Sequence, residues 1–361
     1  MAERDHFEEG WTTVTIVADE FTHVIGVDTH ARTHTYAAVE ARTGEILGTA
    51  VFPTSPAGLA RARSWINRRA PESMLVAIEG TGSYGATLTR ALQAEGIEVR
   101  EVKPPRRATR SAHGKSDEID AIAAARTAIA SPLSELSTPR AEGIRSALRV
   151  LLVARQALDS RRTADNNMLT ALLRSFSLGV DARRPLTVSQ VQTVGGWRER
   201  CTDDSVIGTI RSEAKRLATS ILAATRQLDQ NHAALAHHVQ ELAPGFLNIK
   251  GVGPVTGAII LAAYSHRGRI RSEAAFASLA GVAPLQASSG NVVRHRLSRR
   301  GDRQLNRAMD IIARTRMVSD AGTRAYVDRR TAEGKSRREI RRCLKRYVAR
   351  QIFRQLNSLM G

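Results

Sequence analysis

Two cysteines in 361 residues exclude a disulfide framework. Cys201 and Cys343 stand far apart, without the paired spacing of a zinc site, and fit a reducing, cytoplasmic setting. No apolar run approaches the roughly 20 residues of a membrane span, so no membrane association is expected. The opening stretch MAERDHFEEG is too polar and acidic for a signal peptide. Acidic residues are also in deficit. The chain has 35 Asp+Glu against 54 Lys+Arg, a formal charge of +19. Most of the excess is arginine, whose planar fork suits phosphate. A chain this basic carries the electrostatic footprint of a nucleic-acid binder. The segment GTGSYG lacks the lysine of a P-loop and the spacing of a dinucleotide fingerprint, so it reads as a strand-to-helix turn.

What is present falls into regions of different texture. Residues 1–20 form a polar, variable extension with no assigned role. From 21 to 138 strands and helices alternate. VIGVDTH is a strand, and THTYAAVEA and EILGTAVF flank the turn ARTGE as a hairpin. SPAGLARARSWINRRA is a helix with Ser55 and Pro56 at its start. MLVAIEG is a short buried strand, and SYGATLTRALQAEG a helix closed by Gly96. IEVREVKP is a strand, and SDEIDAIAAARTAIA a helix capped by Ser116. The order βββαβαβα predicts an α/β domain of the ribonuclease H/RuvC-like kind.

Residues 139–242 differ. Leu148, Leu151, Leu169 and Leu172, then Leu217, Ile221, Leu228, Leu235 and Leu242, recur at helical spacing with few breakers. Steps of four and seven predict two long antiparallel helices, a coiled-coil stalk or an ordinary bundle core. If the stripe lies between chains, it mediates self-association. His232, His237 and His238 read as exposed helix residues with no carboxylate or cysteine nearby.

Residues 243–361 read as a mostly helical domain. FLNIKGVGPVTGAIILAAY resembles a helix-hairpin-helix element, with Gly251 and Gly253 allowing a tight turn whose amides can face phosphate. A polar loop carries Ser288, Ser289 and Gly290, and Arg294, Arg296, Arg299, Arg300 and Arg303 crowd close behind it. SRREIRRCLKRYVARQIFRQL is a basic amphipathic helix.

Four carboxylates carry the chemistry. Asp28 lies on the first strand and Glu79 ends the fourth. Asp117 and Asp120 are three apart on one helix face. In this fold order they converge. Hard oxygen ligands of this kind suit Mg²⁺ or Mn²⁺, and such a site drives in-line phosphoryl displacement. An aspartate in an apolar strand is costly unless paired or metal-bound. Ser-Ser-Gly alone is common in loops. A serine acts as a phosphoryl nucleophile when its proton is withdrawn and the phosphate charge is clamped. The nearby arginines can clamp, and His295 is the base closest in sequence.

Taken together, GVDTH, AIEGTGSYG and KSDEIDA, then IKGVGPVTGAIILA, LAGVAPLQASSG and SRRGDRQLNRAM, resemble in order and spacing the transposases of the insertion-sequence 110 family. Relatives of that family include the Piv DNA invertase. The resemblance spans nearly the whole chain. It implies a RuvC-like metal site of Asp28, Glu79, Asp117 and Asp120. It also implies a strand-cleaving serine directly before the glycine, Ser289, with Ser288 the lesser candidate. Further, it implies a helical stalk and a dimeric or tetrameric assembly acting on donor and target DNA. A structured guide RNA encoded by the element would pair with both. The function expected is site-specific DNA recombination. A RuvC-like nuclease or junction resolvase that hydrolyses with water is the alternative. A non-enzymatic protein with a decayed site is disfavoured by four intact acids.

Overall fold

The computed structural model describes residues 15–102, 116–140, 142–286, 295–296 and 301–360. The chain divides into two compact units, residues 1–140 and 141–361.

The first unit is a five-stranded mixed sheet. Its strands are β1 (His23–Thr29), β2 (Thr33–Glu40), β3 (Ile46–Pro53), β4 (Met74–Glu79) and β5 (Glu98–Val102), in the order β3-β2-β1-β4-β5. The first three form an antiparallel meander, and β4 and β5 add in parallel beside β1. Helices α1 (Val17–Glu20), α2 (Pro56–Arg69), α3 (Ala86–Ala94) and α4 (Asp117–Ile129) complete the unit. The expected βββαβαβα order is present and is consistent with a RuvC-like domain.

Side chains alternate across the strands. Ile25, Val27, Tyr36, Ala38, Val76 and Ile78 pack in one cluster with Leu59, Ile66, Leu88 and Leu92 of α2 and α3. Val24, Val39, Leu75 and Ala77 pack in another, with Ala124, Ala125 and Ala128 of α4. The helix starts follow the sequence signals. Ser55 Oγ accepts from the Gly58 amide at 3.2 Å with proline at the first helical position, and Ser116 Oγ accepts from the Ile119 amide at 3.3 Å. Gly96, at φ +75°, follows α3. The polar extension is not free to its end. Val17 is fully buried in the α4-side cluster, and its amide donates to the Ser131 carbonyl at 3.2 Å.

The second unit is helical. It comprises α5 (Ile144–Ser175), α6 (Val188–Gly195), α7 (Ser205–Leu242), α8 (Pro254–Tyr264), α9 (Glu273–Leu279), α10 (Arg303–Ser319), α11 (Ala321–Ala332) and α12 (Arg337–Leu359). A two-residue ribbon pairs β6 (Leu285–Gln286) with β7 (His295–Arg296). Helices α5 and α7 run antiparallel, because partner numbers rise on one as they fall on the other. Asn231 Nδ2 donates to the Leu151 carbonyl at 2.9 Å, Arg155 Nη1 to the Leu228 carbonyl at 3.1 Å, and Ser220 Oγ to Asp165 Oδ2 at 2.7 Å.

The leucine stripe of α7 is filled inside the chain. Leu217 and Ile221 cluster with Leu169 and Leu173, and Leu235 clusters with Leu148. Its period therefore does not require a second copy. At the other end the pair merges into one core with Phe246, Tyr264, Phe276, Met309, Ile312, Ile352 and Leu356. The expected amphipathic tail helix is α12, which buries Ile340, Leu344, Val348, Ile352 and Leu356. Among the described residues, no helix is long and apolar enough to cross a membrane.

Candidate functional site

The acid cluster is built on one close backbone approach. A Cβ on Gly26 would fall 1.9 Å from the Ala121 carbonyl oxygen and 2.6 Å from the Ala125 nitrogen. Only glycine lets α4 lie this tightly on β1. Side chains two apart on a strand share a face, so Asp28 stands on the same side as Gly26, toward α4. Likewise Glu79 stands on the side of Leu75 and Ala77, which pack with α4. The β1–β4 register runs to Val27 beside Ile78, and Asp28 and Glu79 are the next residue on each strand. Thr29 Oγ1 donates to the Glu79 carbonyl at 2.8 Å and ties the two strand ends together.

Helix α4 begins at Asp117, so Asp117 and Asp120 both lie in its first turn. The positive end of the helix dipole favours carboxylates there. The ends of β1 and β4 and the start of α4 thus bring Asp28 and Asp117 together, with Glu79 on the strand beside Asp28 and Asp120 in the first turn of α4. Asp28, only 13% exposed at its side chain, and Asp117, 55% exposed, both approach a third group. His30 Nδ1 lies 3.5 Å from Asp28 Oδ2 and 3.7 Å from Asp117 Oδ2. Ligand atoms of Asp28, His30 and Asp117 lie within 4.8 Å of one another, and Glu79 and Asp120 are outside this trio. Two carboxylates around one point, with two more on the adjoining strand and helical turn, are a donor set suited to a divalent cation. The sequence reading passed over His30. The signal was its place two residues after Asp28, just past the end of β1.

The other predicted residues fare differently. Gly251, at φ +84°, needs its glycine, since a Cβ there would touch Ile312 Cγ2 and the Ile312 carbonyl oxygen at 3.2 Å. Gly253 departs from expectation. Its amide donates to Thr256 Oγ1 at 2.9 Å and is engaged within the start of α8 rather than open to a phosphate. The helical piece before the turn is a single 3₁₀ turn, Phe246–Asn248. Ser288, Ser289, Arg294, Arg299 and Arg300 lie outside the described residues. Arg296 is paired with Leu285 in the short ribbon, and Arg303 is exposed at the start of α10.

The two approaches to the serine segment are stitched to each other. The Asp302 amide donates to the Leu279 carbonyl at 2.7 Å. Asn306 Nδ2 donates to the carbonyls of Ala280 at 2.7 Å and Gly281 at 3.2 Å, while its Oδ1 accepts from Lys345 Nζ at 2.7 Å. Burial pulls the Lys345 ammonium below its ordinary pKa, with Asp310 opposing. A polar anchor 26 residues from Ala280 and 25 from Gly281 leaves no local pattern in the sequence.

The α7 histidines require a correction. Glu241 does supply a nearby carboxylate. His238 Nδ1 lies 3.2 Å and His237 Nε2 3.9 Å from Glu241 Oε2. His237 remains an exposed helix residue as expected.

Comparison with known proteins agrees with this layout. A DEDD-type IS110 family profile, described as "Transposase", matches residues 25–177. A second, described as "Transposase IS116/IS110/IS902 family", matches residues 244–328. The chain belongs to the IS110 family of transposases. A 43.6 kDa protein of insertion element IS110 from Streptomyces coelicolor is 33% identical over 156 residues, 42% of this chain and 38% of that protein. A 42 kDa protein of insertion element IS900 from Mycobacterium paratuberculosis is 28% identical over 192 residues, 52% of this chain and 46% of that protein. The chain thus spans less than half the length of either of these relatives. Its DEDD match begins at β1 and runs through α5 into the second unit.

Proposed function

We propose that this IS110-family chain is a DNA recombinase of an insertion element. It would cut and rejoin strands with the four-acid centre and a serine nucleophile. The observation that carries the reading is the approach of Asp28 and Asp117 to one point beside His30, with Glu79 ending the strand next to Asp28 and Asp120 in the same helical turn as Asp117. Asp28, Asp117 and neighbouring Glu79 and Asp120 would hold Mg²⁺ or Mn²⁺, which when bound would supply charge stabilisation for phosphate displacement. His30 would orient Asp28 and Asp117 through the contacts given above.

In this reading the Ser289 oxygen attacks the phosphorus and its proton passes to a base. The sugar oxygen leaves with a proton, and a phosphoserine link preserves the bond energy for rejoining. Arg294, Arg299, Arg300 and Arg303 would offset the phosphate charge. The helix pair would serve as the stalk, and the GVGP turn as a helix-hairpin-helix-like backbone contact. A dimer or tetramer would bind donor and target DNA with a structured guide RNA. The second reading is a nuclease using water. It is favoured by the acid centre lying wholly within the first unit.

Labelled DNA run on denaturing gels separates the two. The recombinase reading expects a slow-migrating protein–DNA adduct that Ser289→Ala and EDTA both abolish, with Ser288→Ala milder. Cutting by Ser289→Ala at the normal rate means water is the nucleophile.

A further inference from the structure

Two neighbouring clefts of the second unit have no part in the chemistry above. One, about 490 Å³, is lined by Asn248, Lys250, Arg316, Asp320, Gln351 and Gln355, among others. The other, about 210 Å³, is lined in part by Arg316, Asp320, Thr323, Tyr326 and Tyr347. Arg316 and Asp320 line both, so the clefts meet there. Arg316 Nε donates to the Lys250 carbonyl at 2.7 Å and Nη1 to Gln351 Oε1 at 2.7 Å. Its buried Nη2 has no partner. Burial lowers the guanidinium pKa from its ordinary value. The guanidinium charge and the exposed Lys250 ammonium together make the cleft attractive to an anion. Hydrogen bonds from Thr323 chiefly, and then the Lys250 and Arg316 charges, hold the Asp320 carboxyl below its ordinary pKa, so one carboxylate already faces both cations. Its Oδ2 caps α11, accepting from the Thr323 amide at 2.8 Å and hydroxyl at 2.7 Å.

The second cleft adds rings. The chain has five tyrosines. Two of them, Tyr326 and Tyr347, meet edge to face here with centroids 5.9 Å apart. Tyr347 is 55% exposed, although it sits on a helix whose opposite face fills the core. The Arg329 guanidinium stands 5.6 Å from the Tyr326 ring centre. Helix α11, which carries Tyr326, buries none of its residues fully. An exposed ring beside a phosphate seat is how single strands are held, with backbone on cations and base on aromatic face. In a duplex, each base face is already covered by its neighbours, so only unpaired nucleotides can use such a ring.

We propose that this composite cleft binds a single-stranded nucleic-acid segment, phosphate on Arg316 and Lys250 and an unpaired base on Tyr347. It is separate from the acid centre, and it rests on the nucleic-acid reading of the chain.

The test uses the full chain with short fluorescent oligo(dT), oligo(U) and a duplex of equal length. Tyr347→Ala weakens binding of the single strands roughly tenfold and leaves duplex binding unchanged, whereas Tyr347→Phe keeps both. Lys250→Ala lowers the salt slope for single strands by about 0.7. An independent readout is the exposed thiol of Cys343, which lies against Tyr326. In a Cys201→Ser background, saturating oligonucleotide slows alkylation of Cys343, and Tyr347→Ala abolishes the shielding. An effect confined to oligo(U) assigns the site to RNA, and one confined to oligo(dT) to DNA. Unchanged single-strand binding by Tyr347→Ala, or an unshielded Cys343, overturns the inference. Binding of duplex but of neither single strand removes this site and leaves the recombinase reading standing. Binding of no nucleic acid removes both.

Discussion

Gly26 sets the spacing between the two halves of the acid cluster. With the Ala121 oxygen 1.9 Å from where a Cβ would stand, Gly26→Ala must push α4 off β1. Asp117 and Asp120 would move with it, away from Asp28 and Glu79. The expected result is weaker Mn²⁺ binding by calorimetry together with lost stability of about 1–3 kcal/mol, as for other overpacked sites. Mn²⁺ affinity equal to wild type would show that the four acids do not act as one site. His34 gives a pH signature. Burial chiefly lowers its pKa from 6.5, nearby His30 adds to this, and the Thr33 carbonyl opposes it. Below pH 6.5 the unfolded chain takes up a proton that the folded one resists. Stability therefore falls as pH drops through that value and levels off below the folded pKa. Urea midpoints at pH 7.5 and 5.5 should differ less in His34→Gln, and an equal difference would clear His34 of the effect. At this scale the sequence was partly legible. The caps Ser55 and Ser116 act locally and announced themselves. His30 as the group between two acids, and Asn306 as the anchor of a distant loop, depend on tertiary neighbours and did not.

The helix pair shows what periodicity can and cannot say. A stripe of Leu217, Ile221, Leu228 and Leu235 predicts a partner helix, and the period is the same whether that helix belongs to this chain or another. Polar residues decide it. Asn231 and Arg155 reach the carbonyls of the facing helix within the chain. Leu228 is 3% exposed, so Leu228→Asp places a charge in a buried apolar position. Loss of the folded second unit is the expected result, read as early melting in circular dichroism. A folded variant of lower mass in light scattering would instead place the stripe between copies. The strands of the first unit were easier to read, because each face of the sheet is filled by a period of two. The GVGP turn was read correctly as tight, but the use of the Gly253 amide by Thr256 is a side-chain choice that spacing does not record.

For the molecule as a whole, the charge of +19 makes salt the controlling variable. Each neutralised phosphate releases counterions, giving a log–log slope of roughly −0.9 per contact on duplex DNA. Arg299→Ala with Arg300→Ala should flatten that slope and weaken all duplex sequences alike, as measured by anisotropy across a salt series. A changed sequence preference at constant slope would mean that these arginines read bases. Membership of the family was legible from separated motifs in both halves of the chain. The tyrosine cleft was not, since its walls come from α10, α11 and α12 and meet only in the fold. The antiparallel hairpin of α5 and α7 has a last consequence. Its arms are matched residue to residue, so its length can change only in paired steps. A single residue deleted from α7 would turn everything beyond by about 100° and misalign every partner. Seven deleted from each arm would keep the surviving pairs and draw the tip in by about 10 Å. The hairpin can therefore be trimmed or extended like a ruler while the core at its base stays unaltered.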